Sequence, residues 1–417
     1  MGQPIYSTHH GMRDILPDES PKWRALETLI HQEAKKFNFE EIRTPILEPT
    51  ELIVRGVGQL TDIVSKEIFS FQRGEDHYVL RPECTAPVAR SFTEHHLDQR
   101  GGTQKLYYMG PMFRAERPQK GRQRQFHQYG AEILGSDDPV ADTEAISFMM
   151  QICRKIGISN TTLRINSIGD PESRDRYKKV LIEYFTPQSD KLSELSQNRL
   201  EKNPLRILDS KEEQDQPLIE KAPTIASYLN EESALHFEKL KSYLQNLNIP
   251  YEEDHRLVRG LDYYTRTAFE LISPDLGSQD ALAGGGRYDL LVEEIGGPPT
   301  PAVGFAAGME RMLLACEELG IEIGEPKSVD IYLVTRGAEA RAWAIETLPV
   351  LRERGYSATM DYAGRSIKAQ MKDADREQAR FAVITGETEL QSGTFTFRDM
   401  QKSEETALTL EQILERL

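Results

Sequence analysis

The sequence is poor in cysteine and tryptophan and has no long apolar run. Three of its 417 residues are cysteine and two are tryptophan. Cys84, Cys153 and Cys316 stand apart, without the CxxC pairs of zinc or redox sites, so neither disulfides nor a zinc site is expected. No segment approaches the roughly 18 apolar residues of a membrane span, and the first residues lack the apolar core of a signal peptide. We therefore expect a cytoplasmic globular protein with no membrane partner.

The net charge of −16 argues against a protein that coats nucleic acid by bulk electrostatics. Residues 114–124, RAERPQKGRQR, depart from this balance with five basic residues against one acid. Pro118 and Gly121 mark a turn there, and the flanks KLYYMGPMF and QFHQYGAEIL have the composition of strands. The pattern predicts a β-hairpin with a basic tip, although a charge run is more often only a solvated face.

Periodicity and glycine or proline positions give the order of the other elements. Residues 21–37 have apolar side chains at helical spacing, and residues from about 171 to 250 read as an acidic, polar helical insertion. LVRGLDYYTRTAFELI then reads as a strand and DALAGGGRYD as a glycine-rich turn. PAVGFAAGMERMLLACEELG changes from a strand to a helix after Gly308. Strands and helices alternate beyond Pro326, which predicts domains at 1–325 and 326–417, the second of α/β type.

Four arginines stand in aromatic or glycine-rich settings, and they are Arg114, Arg122, Arg259 and Arg311. The guanidinium fork matches carboxylate and phosphate oxygens, so several such cations indicate a polyanion such as a nucleoside triphosphate. Any one of them alone is better explained as an ordinary ion pair. The chain has neither a P-loop nor a GxGxxG pattern, so a nucleotide would bind on another scaffold.

The motifs together resemble the class II aminoacyl-tRNA synthetases and, within that class, the histidyl-tRNA synthetase family. The resemblance covers nearly the whole chain, through GMRDILP, FNFEEIRTPILEPTEL, RPECTAPVAR, FRAERPQKGRQRQFHQYGAE, LVRGLDYYT, AGGGRYD and VGFAAGMERM. LVRGLDYY and GGGRYD, in this order between the second and third class motifs, are the family's signature. The resemblance implies an α+β fold, in which helices flank an antiparallel sheet that carries the substrates, and a C-terminal anticodon-binding domain.

The resemblance also implies roles for single residues. Arg114 and Arg259 are the expected catalytic residues, since both match arginines that contact the α-phosphate. Arg114, Arg122 and Arg311 match the ATP-binding positions, with Arg311 at the γ-phosphate. The positions expected to surround histidine are Glu83, Thr85, Arg114, Gln128, Glu132, Arg259, Tyr263 and Tyr264. The hairpin cations expected to approach the acceptor end of the tRNA are Arg117, Lys120 and Arg124.

The implied reaction has two steps. L-Histidine displaces pyrophosphate from ATP to form histidyl-adenylate, and the 3′ end of histidine tRNA then takes the histidine. Mg²⁺ would neutralise the phosphates, with no protein ligand assigned to it. A homodimer is expected because Pro45 resembles the proline of the first class motif, although a lone strand proline is more often an edge marker.

Two departures and two alternatives accompany the resemblance. Cys84 and Leu290 stand where glycine is common in the family, and Cys84 could narrow the histidine pocket or be a reactive thiol.

The first alternative is the synthetase-like, histidine-sensing regulatory subunit of ATP phosphoribosyltransferase, which usually lacks the C-terminal domain and part of the arginine set. The second is a class II synthetase for proline, glycine or threonine, which would lack LVRGLDYY.

Overall fold

The computed structural model describes residues 5–58, 61, 63–258, 261–325 and 327–417. The chain divides into two compact units, residues 1–324 and 325–417. The expectations for Arg259, Gly260 and Pro326 lie outside the described residues. Within the described ranges, every helix is too short or too polar to cross a bilayer.

The described part of the first unit contains an eight-stranded sheet and a three-stranded sheet. The strands, in chain order, are β1 (Glu40–Glu41), β2 (Leu47–Pro49), β3 (Phe69–Arg73), β4 (Asp76–Leu80), β5 (Gln104–Phe113), β6 (Gln125–Leu134), β7 (Thr162–Ser167), β8 (Glu252–Glu253), β9 (Thr265–Ile272), β10 (Ala281–Arg287) and β11 (Ala302–Gly308). The large sheet has the order β1-β5-β6-β11-β10-β9-β7-β8, and the small one the order β2-β4-β3. The large sheet is antiparallel except at its two edges, where β1 and β8 pair in parallel with their neighbours. The antiparallel sheet expected from the resemblance is confirmed.

Helices cover this sheet on both sides. They are α1 (Ser20–Lys36), α2 (Thr50–Val57), α3 (Thr85–Glu94), α4 (Pro139–Ile156), α5 (Pro171–Phe185), α6 (Glu194–Lys202), α7 (Gln216–Ile219), α8 (Glu231–Asn246), α9 (Leu291–Glu294) and α10 (Met309–Glu318). A single π-helical turn, Ile63–Glu67, precedes β3. Helices α5 to α8, joined by 3₁₀ turns, form the helical insertion that the sequence predicted.

Alternation along β6 decides which side chains face each helical layer. Tyr129, Ala131 and Ile133 are buried in a core with residues of α1, α4, α8 and α10. Leu134, on the opposite face, is buried in a second core with residues of α3 and the insertion. Since successive side chains of a strand point to opposite faces, Glu132 lies on the same face as Leu134.

Two details of this sheet correct the sequence-based expectations. The glycines of DALAGGGRYD lie inside β10 and not in a turn. A Cβ at Gly285 would overlap the Gly304 carbonyl oxygen, so these glycines let adjacent backbones and rings approach closely. In addition, LVRGLDYY does not belong to a strand where it is described, because β9 begins only at Thr265.

The second unit has a five-stranded sheet of order β13-β12-β14-β15-β16 in the residues described. Its elements, in chain order, are β12 (Ile331–Thr335), α11 (Ala338–Glu353), β13 (Ala358–Met360), α12 (Ile367–Arg376), β14 (Phe381–Thr385), α13 (Glu387–Ser392), β15 (Phe395–Asp399), β16 (Glu404–Leu408) and α14 (Leu410–Arg416). The first three strands in space are parallel, and the last two pair antiparallel. The predicted alternation is present, with α13 and β16 in addition to the expected elements.

A buried ion pair joins the large sheet to its helical layer. Arg287, at the end of β10, and Asp142 of α4 are both fully buried, and Nη2 lies 2.5 Å from Oδ2. Arg287 also pairs with Asp289 at 3.1 Å and donates to the Ser136 and Asp138 carbonyls. Such a pair is costly to break from one side, because the remaining charge stays buried.

We therefore expect Asp142→Asn to lower the free energy of unfolding by about 3 kcal/mol, since Arg287 would lose its fully buried counter-charge. Urea denaturation followed by circular dichroism measures this change. Asp137→Asn, at an exposed position just before α4, is the matched control and should leave the free energy nearly unchanged. Equal effects of the two substitutions would contradict the prediction.

Candidate active site

The predicted hairpin is present, and together with the start of α10 it places three arginines around one cavity. β5 and β6 pair in antiparallel register from Gln104 with Leu134 to Phe113 with Gln125. The loop between them and the start of α10 line a cavity of about 400 Å³ that contains Arg114, Arg122 and Arg311. The structure therefore brings together the three described members of the arginine set, although they are far apart in sequence.

Backbone carbonyls hold two of these arginines in place. Arg114 Nε donates to the Pro82 oxygen at 3.0 Å, and its guanidinium lies 5.2 Å from the Phe126 ring centroid. Arg311 Nε donates to the Gly121 oxygen at 3.1 Å and Nη1 to the Ala281 oxygen at 2.5 Å. Burial, and then the nearby Arg122 charge, lower the pKa of Arg311. This cost of crowding cations is what an anionic ligand would relieve.

Carboxylates also line the cationic cavity, among them Glu116, Glu270 and Glu310. Glu116 accepts from Arg122 Nη1 at 3.1 Å. Glu310 accepts from the backbone N of His127 at 2.9 Å, and its Oε1 lies 3.0 Å from the His127 Nδ1. The His127 ring also packs edge-on against the Trp23 ring, with the ring centroids 4.9 Å apart, so His127 joins β6 to α10 and α1. In the described residues, no group of three or more His, Cys, Asp or Glu side chains is arranged to hold a metal.

Two buried carboxylates lie near this cavity, Glu83 just before α3 and Glu132 on β6. Glu83 accepts from the backbone N of Thr85 at 2.7 Å and of Ala86 at 2.9 Å, at the start of α3. Burial raises the pKa of the Glu83 carboxyl, while these two amides and the charge of Arg114 oppose the change. A helix N-terminus favours a carboxylate in its charged form, so Glu83 has partial compensation for its burial.

Glu132 is fully buried and has hydroxyl partners. Thr85 Oγ1 donates to Oε1 at 2.8 Å, and Tyr288 OH donates to Oε2 at 2.5 Å. Tyr108 OH is 3.5 Å from Oε1. Burial raises the pKa of Glu132 to about 8, against the hydrogen bonds of Tyr288 and Thr85. Gly304 lies opposite Glu132 in β11, and a Cβ there would overlap Oε2, so glycine makes room for the carboxylate.

Tyrosine rings and one amide complete the surroundings of these carboxylates. Tyr263 and Tyr264 are each 5% exposed, and their ring centroids lie 4.7 Å apart. Gln128 lines the cationic cavity, and its buried Oε1 has no hydrogen-bond partner among the described residues. Leaving a buried acceptor unsatisfied costs roughly 1–3 kcal/mol, so a donor from a bound ligand would be favourable there.

The three hairpin cations expected at the tRNA differ in their surroundings. Arg117 is exposed. Lys120 is exposed and pairs with Glu318 of α10 at 2.6 Å. Arg124 is half-buried, and its Nε donates to the Glu116 carbonyl at 3.3 Å. The tip of the hairpin is therefore cationic at its surface, while Arg124 lies at its base.

Sequence reasoning missed Tyr108 and Tyr288 as partners of Glu132. The hairpin register contained a signal for Tyr108, since Tyr108 pairs with Gly130, two residues from Glu132 on the same face. No local signal existed for Tyr288, which comes from another hairpin of the sheet. Asp262 of LVRGLDYY lines a second cavity of about 210 Å³ with Arg174, Lys178, Lys202 and Arg206.

An antiparallel sheet that carries a cationic cavity beside buried carboxylates is the arrangement of a class II aminoacyl-tRNA synthetase. The family model described as histidyl-tRNA synthetase matches residues 11–312, and that of an anticodon binding domain matches residues 329–417. The chain belongs to the histidyl-tRNA synthetase family.

Similar proteins agree with this assignment. The histidine–tRNA ligase of Listeria innocua is 50% identical over 98% of this chain and 97% of its own length. The crystal structure of apo histidyl-tRNA synthetase from S. aureus is 38% identical, has a TM-score of 0.83 and covers 99% of both chains. A Bacillus halodurans structure, described as an ATP phosphoribosyltransferase regulatory subunit/histidyl-tRNA synthetase, is 23% identical with a TM-score of 0.67 and shows the fold alone.

The full-length relatives define the activity. The enzyme is a histidine–tRNA ligase, with histidine, ATP and tRNA as its substrates. The histidine-sensing regulatory subunit is not favoured, because curated relatives that match nearly the whole chain are ligases.

The three cysteines are free and buried. Cys84 is 1% exposed, and Thr44 Oγ1 lies 3.4 Å from its sulfur. Burial raises the pKa of the Cys84 thiol to about 12 and that of Cys153 also to about 12. Because the thiolate is the reactive form, Cys84 is a shielded thiol, contrary to the expectation that it could be reactive.

We expect native protein at pH 8 to resist alkylation by iodoacetamide, since a thiol of pKa about 12 is ionised to only about one part in 10⁴ at that pH. Mass spectrometry measures the label at each cysteine. Protein unfolded in guanidinium is the control, in which all three cysteines should react. Labelling of Cys84 in the native protein as fast as in the unfolded chain would contradict this prediction.

Proposed function

We propose that the site is divided into an amino-acid half and a nucleotide half, and that Arg114 acts at their junction. Arg114 lines the cationic cavity, and its charge also opposes the rise that burial causes in the pKa of Glu83. This influence of one arginine on both the cavity and Glu83 is the observation that carries the proposal. The carboxylate of histidine and the α-phosphate of ATP would both bind the Arg114 guanidinium, which would hold them close enough to react.

The nucleotide half would use Arg122 and Arg311 for the phosphates of ATP. Both line the cavity with Arg114, and burial, followed by the charge of Arg122, lowers the pKa of Arg311, a cost that a bound triphosphate would relieve. Arg259 keeps its proposed role at the α-phosphate on the resemblance alone. Charge that develops during adenylate formation would meet cations already in place, which is the main route to catalysis of phosphoryl chemistry.

The amino-acid half would hold histidine between Glu83 and Glu132. The charge of Glu83 contributes to the raised pKa of Glu132, so a cationic ligand between them would stabilise both. The ammonium and the imidazole N–H of histidine are the groups available, and Gln128 Oε1 offers another acceptor. Thr85, Tyr263 and Tyr264 would complete the enclosure, which would reject side chains that lack a matching N–H group.

Mg²⁺ is proposed as the partner of the ATP phosphates. Glu270 and Glu310 line the same cavity as the arginines, and Mg²⁺ commonly binds one or two carboxylates together with substrate phosphates and water. The donor set fits an ion that arrives with the nucleotide better than a permanent protein site. It would neutralise the phosphates and assist the departure of pyrophosphate. The homodimer and the cytoplasmic location remain predictions.

The division of the site predicts that two substitutions affect the KM of different substrates. Glu132→Gln should raise the KM for histidine about 10- to 100-fold, because a charge-assisted hydrogen bond is lost. Arg311→Gln should instead raise the KM for ATP by about tenfold through the loss of a phosphate contact. ATP–pyrophosphate exchange, with each substrate varied in turn, measures both constants.

Wild-type exchange with each of the other amino acids is the control for specificity. Each variant is also the control for the other, since the KM of the second substrate should change by less than about threefold. If both variants raise both constants equally, the proposed division is wrong. If exchange does not depend on histidine, the proposed activation of histidine at this site is wrong.

The hairpin tip is proposed to approach the acceptor end of tRNA. Arg117 is exposed there, and Lys120 lies three residues further along the loop. Phosphate contacts by such cations are the usual source of affinity for nucleic acid. The ATP cavity begins at Arg122, on the same loop, so a bound acceptor end would lie close to the adenylate.

We expect Arg117→Ala to lower kcat/KM for tRNA aminoacylation by roughly three- to tenfold and to reduce its salt dependence by roughly one unit of slope. Histidine-dependent pyrophosphate exchange should stay unchanged, because no tRNA takes part in that step. Arg154→Ala, which removes an exposed arginine of α4, is the matched control. A parallel loss in exchange and aminoacylation would contradict a role at the tRNA.

A further inference from the structure

Two phenols contact Glu132, and neither belongs to the residues expected to bind a substrate. Tyr288 OH lies 2.5 Å from Oε2, on the side of the carboxylate opposite the Thr85 contact to Oε1. Tyr108 OH, at 3.5 Å from Oε1, is a weaker partner. Both tyrosines are almost completely buried. Both carboxylate oxygens are therefore held by hydroxyl donors.

These hydroxyls address a physical conflict at Glu132. A fully buried carboxyl prefers its neutral form, but a neutral carboxyl can no longer attract a cationic N–H group of the substrate. Hydroxyl donors stabilise the ionised form without adding a positive charge that would repel the substrate. The hydrogen bond from Tyr288 is the largest of the effects that oppose the raised pKa of Glu132.

Tyr288 itself is fixed on both sides along the chain. The preceding residue is Arg287, buried against Asp142 of α4. The following residue, Asp289, accepts from the Ala302 backbone N at 3.3 Å and from Thr265 Oγ1 at 3.2 Å. The Tyr288 backbone N donates to the Ala302 oxygen at 2.8 Å. The ion pair and the backbone contacts at the strand end therefore fix the position of Tyr288, which limits the orientations open to its phenol.

The Tyr288 ring also contacts the amino-acid half directly. Its centroid lies 5.7 Å from that of Tyr263 in an edge-on arrangement. Burial raises the pKa of Tyr288 well above its ordinary value, so its hydroxyl retains its proton and remains a donor. One residue therefore contacts both Glu132 and one of the tyrosines proposed to enclose histidine.

We propose that Tyr288 is a positioning residue for histidine recognition, which orients Glu132 towards the substrate N–H and favours its ionised form, with Tyr108 as a weaker second donor. This inference rests on the proposed role of Glu132 as an acceptor for histidine. It assigns to the tyrosine of GGGRYD a function in specificity through Glu132, and not a contact with ATP or with the reacting atoms.

The test is Tyr288→Phe, which keeps the ring and removes only the hydroxyl. At pH 7 the KM for histidine should rise by about tenfold, the effect of one hydrogen bond to a charged group. The kcat of pyrophosphate exchange and the KM for ATP should change by less than about threefold. The KM for histidine should recover towards the wild-type value as the pH rises, because a more basic Glu132 ionises at higher pH.

The direction of this pH effect follows from the raised pKa. Burial raises the pKa of Glu132 to about 8, so its ionised acceptor form increases as the pH rises through that value. Without the Tyr288 hydroxyl this increase moves to higher pH. Titration of free histidine is the same for both enzymes, so the ratio of the two KM values between pH 6.5 and 9 isolates the protein group.

Two further variants order the expected effects. Tyr108→Phe should raise the KM for histidine less than Tyr288→Phe, because its hydroxyl is 1.0 Å more distant from the carboxylate (3.5 against 2.5 Å). Tyr129→Phe is the matched control on the strand of Glu132. The Tyr129 hydroxyl is buried on the other face of the sheet and has no partner among the described residues, so its loss should leave both constants unchanged.

Three outcomes would overturn the inference. Tyr288→Phe could match Tyr129→Phe in KM and pH profile, which would make the hydroxyl unimportant for recognition. It could lower kcat and raise both KM values together at every pH, which indicates a purely structural role. The pH profile could also remain unshifted while KM rises. Failure of Glu132→Gln to raise the KM for histidine would instead show that the proposed role of Glu132 is wrong.

Discussion

The burial of the Glu132 carboxylate is the constraint on which the rest of the site depends. A charge enclosed in a protein core must be matched by hydrogen bonds or by an opposite charge. Thr85, Tyr108 and Tyr288 supply the hydrogen bonds from three separate parts of the chain. Each of these parts must therefore be held at a fixed distance, which links the start of α3, the hairpin and the end of β10 to one another.

Close packing of the sheet makes this arrangement possible. Gly304 leaves space for the carboxylate, and Gly285 and Gly286 let β9, β10 and β11 approach one another together with the Tyr264 ring. The glycines cost conformational entropy in a strand, and they stand where a Cβ would overlap a neighbouring backbone oxygen or the carboxylate. The buried pair of Arg287 with Asp142 then fixes the strand end beside Tyr288.

The two proposed halves of the site use charge in opposite ways. Arg114, Arg122 and Arg311 gather cations whose repulsion favours an anionic ligand, while Glu83 and Glu132 gather carboxylates that favour a cationic one. Histidine and ATP together carry both kinds of charge. A bound pair of substrates would therefore stabilise both halves at once, in an orientation that brings the amino-acid carboxylate towards the phosphates.

The sequence by itself predicted the basic hairpin and the helical insertion, because these depend on local composition and periodicity. Contiguous motifs such as LVRGLDYY implied the family and, through that resemblance, the antiparallel sheet. The resemblance also led to the prediction that Glu132, Arg114, Arg122 and Arg311 are residues of the site. Only the tertiary structure decided that GGG lies in a strand, that Cys84 is shielded, and that Tyr108 and Tyr288 meet Glu132. These facts depend on strand pairing between distant segments, and a hydrogen bond between residues 156 positions apart leaves no periodic trace in the chain.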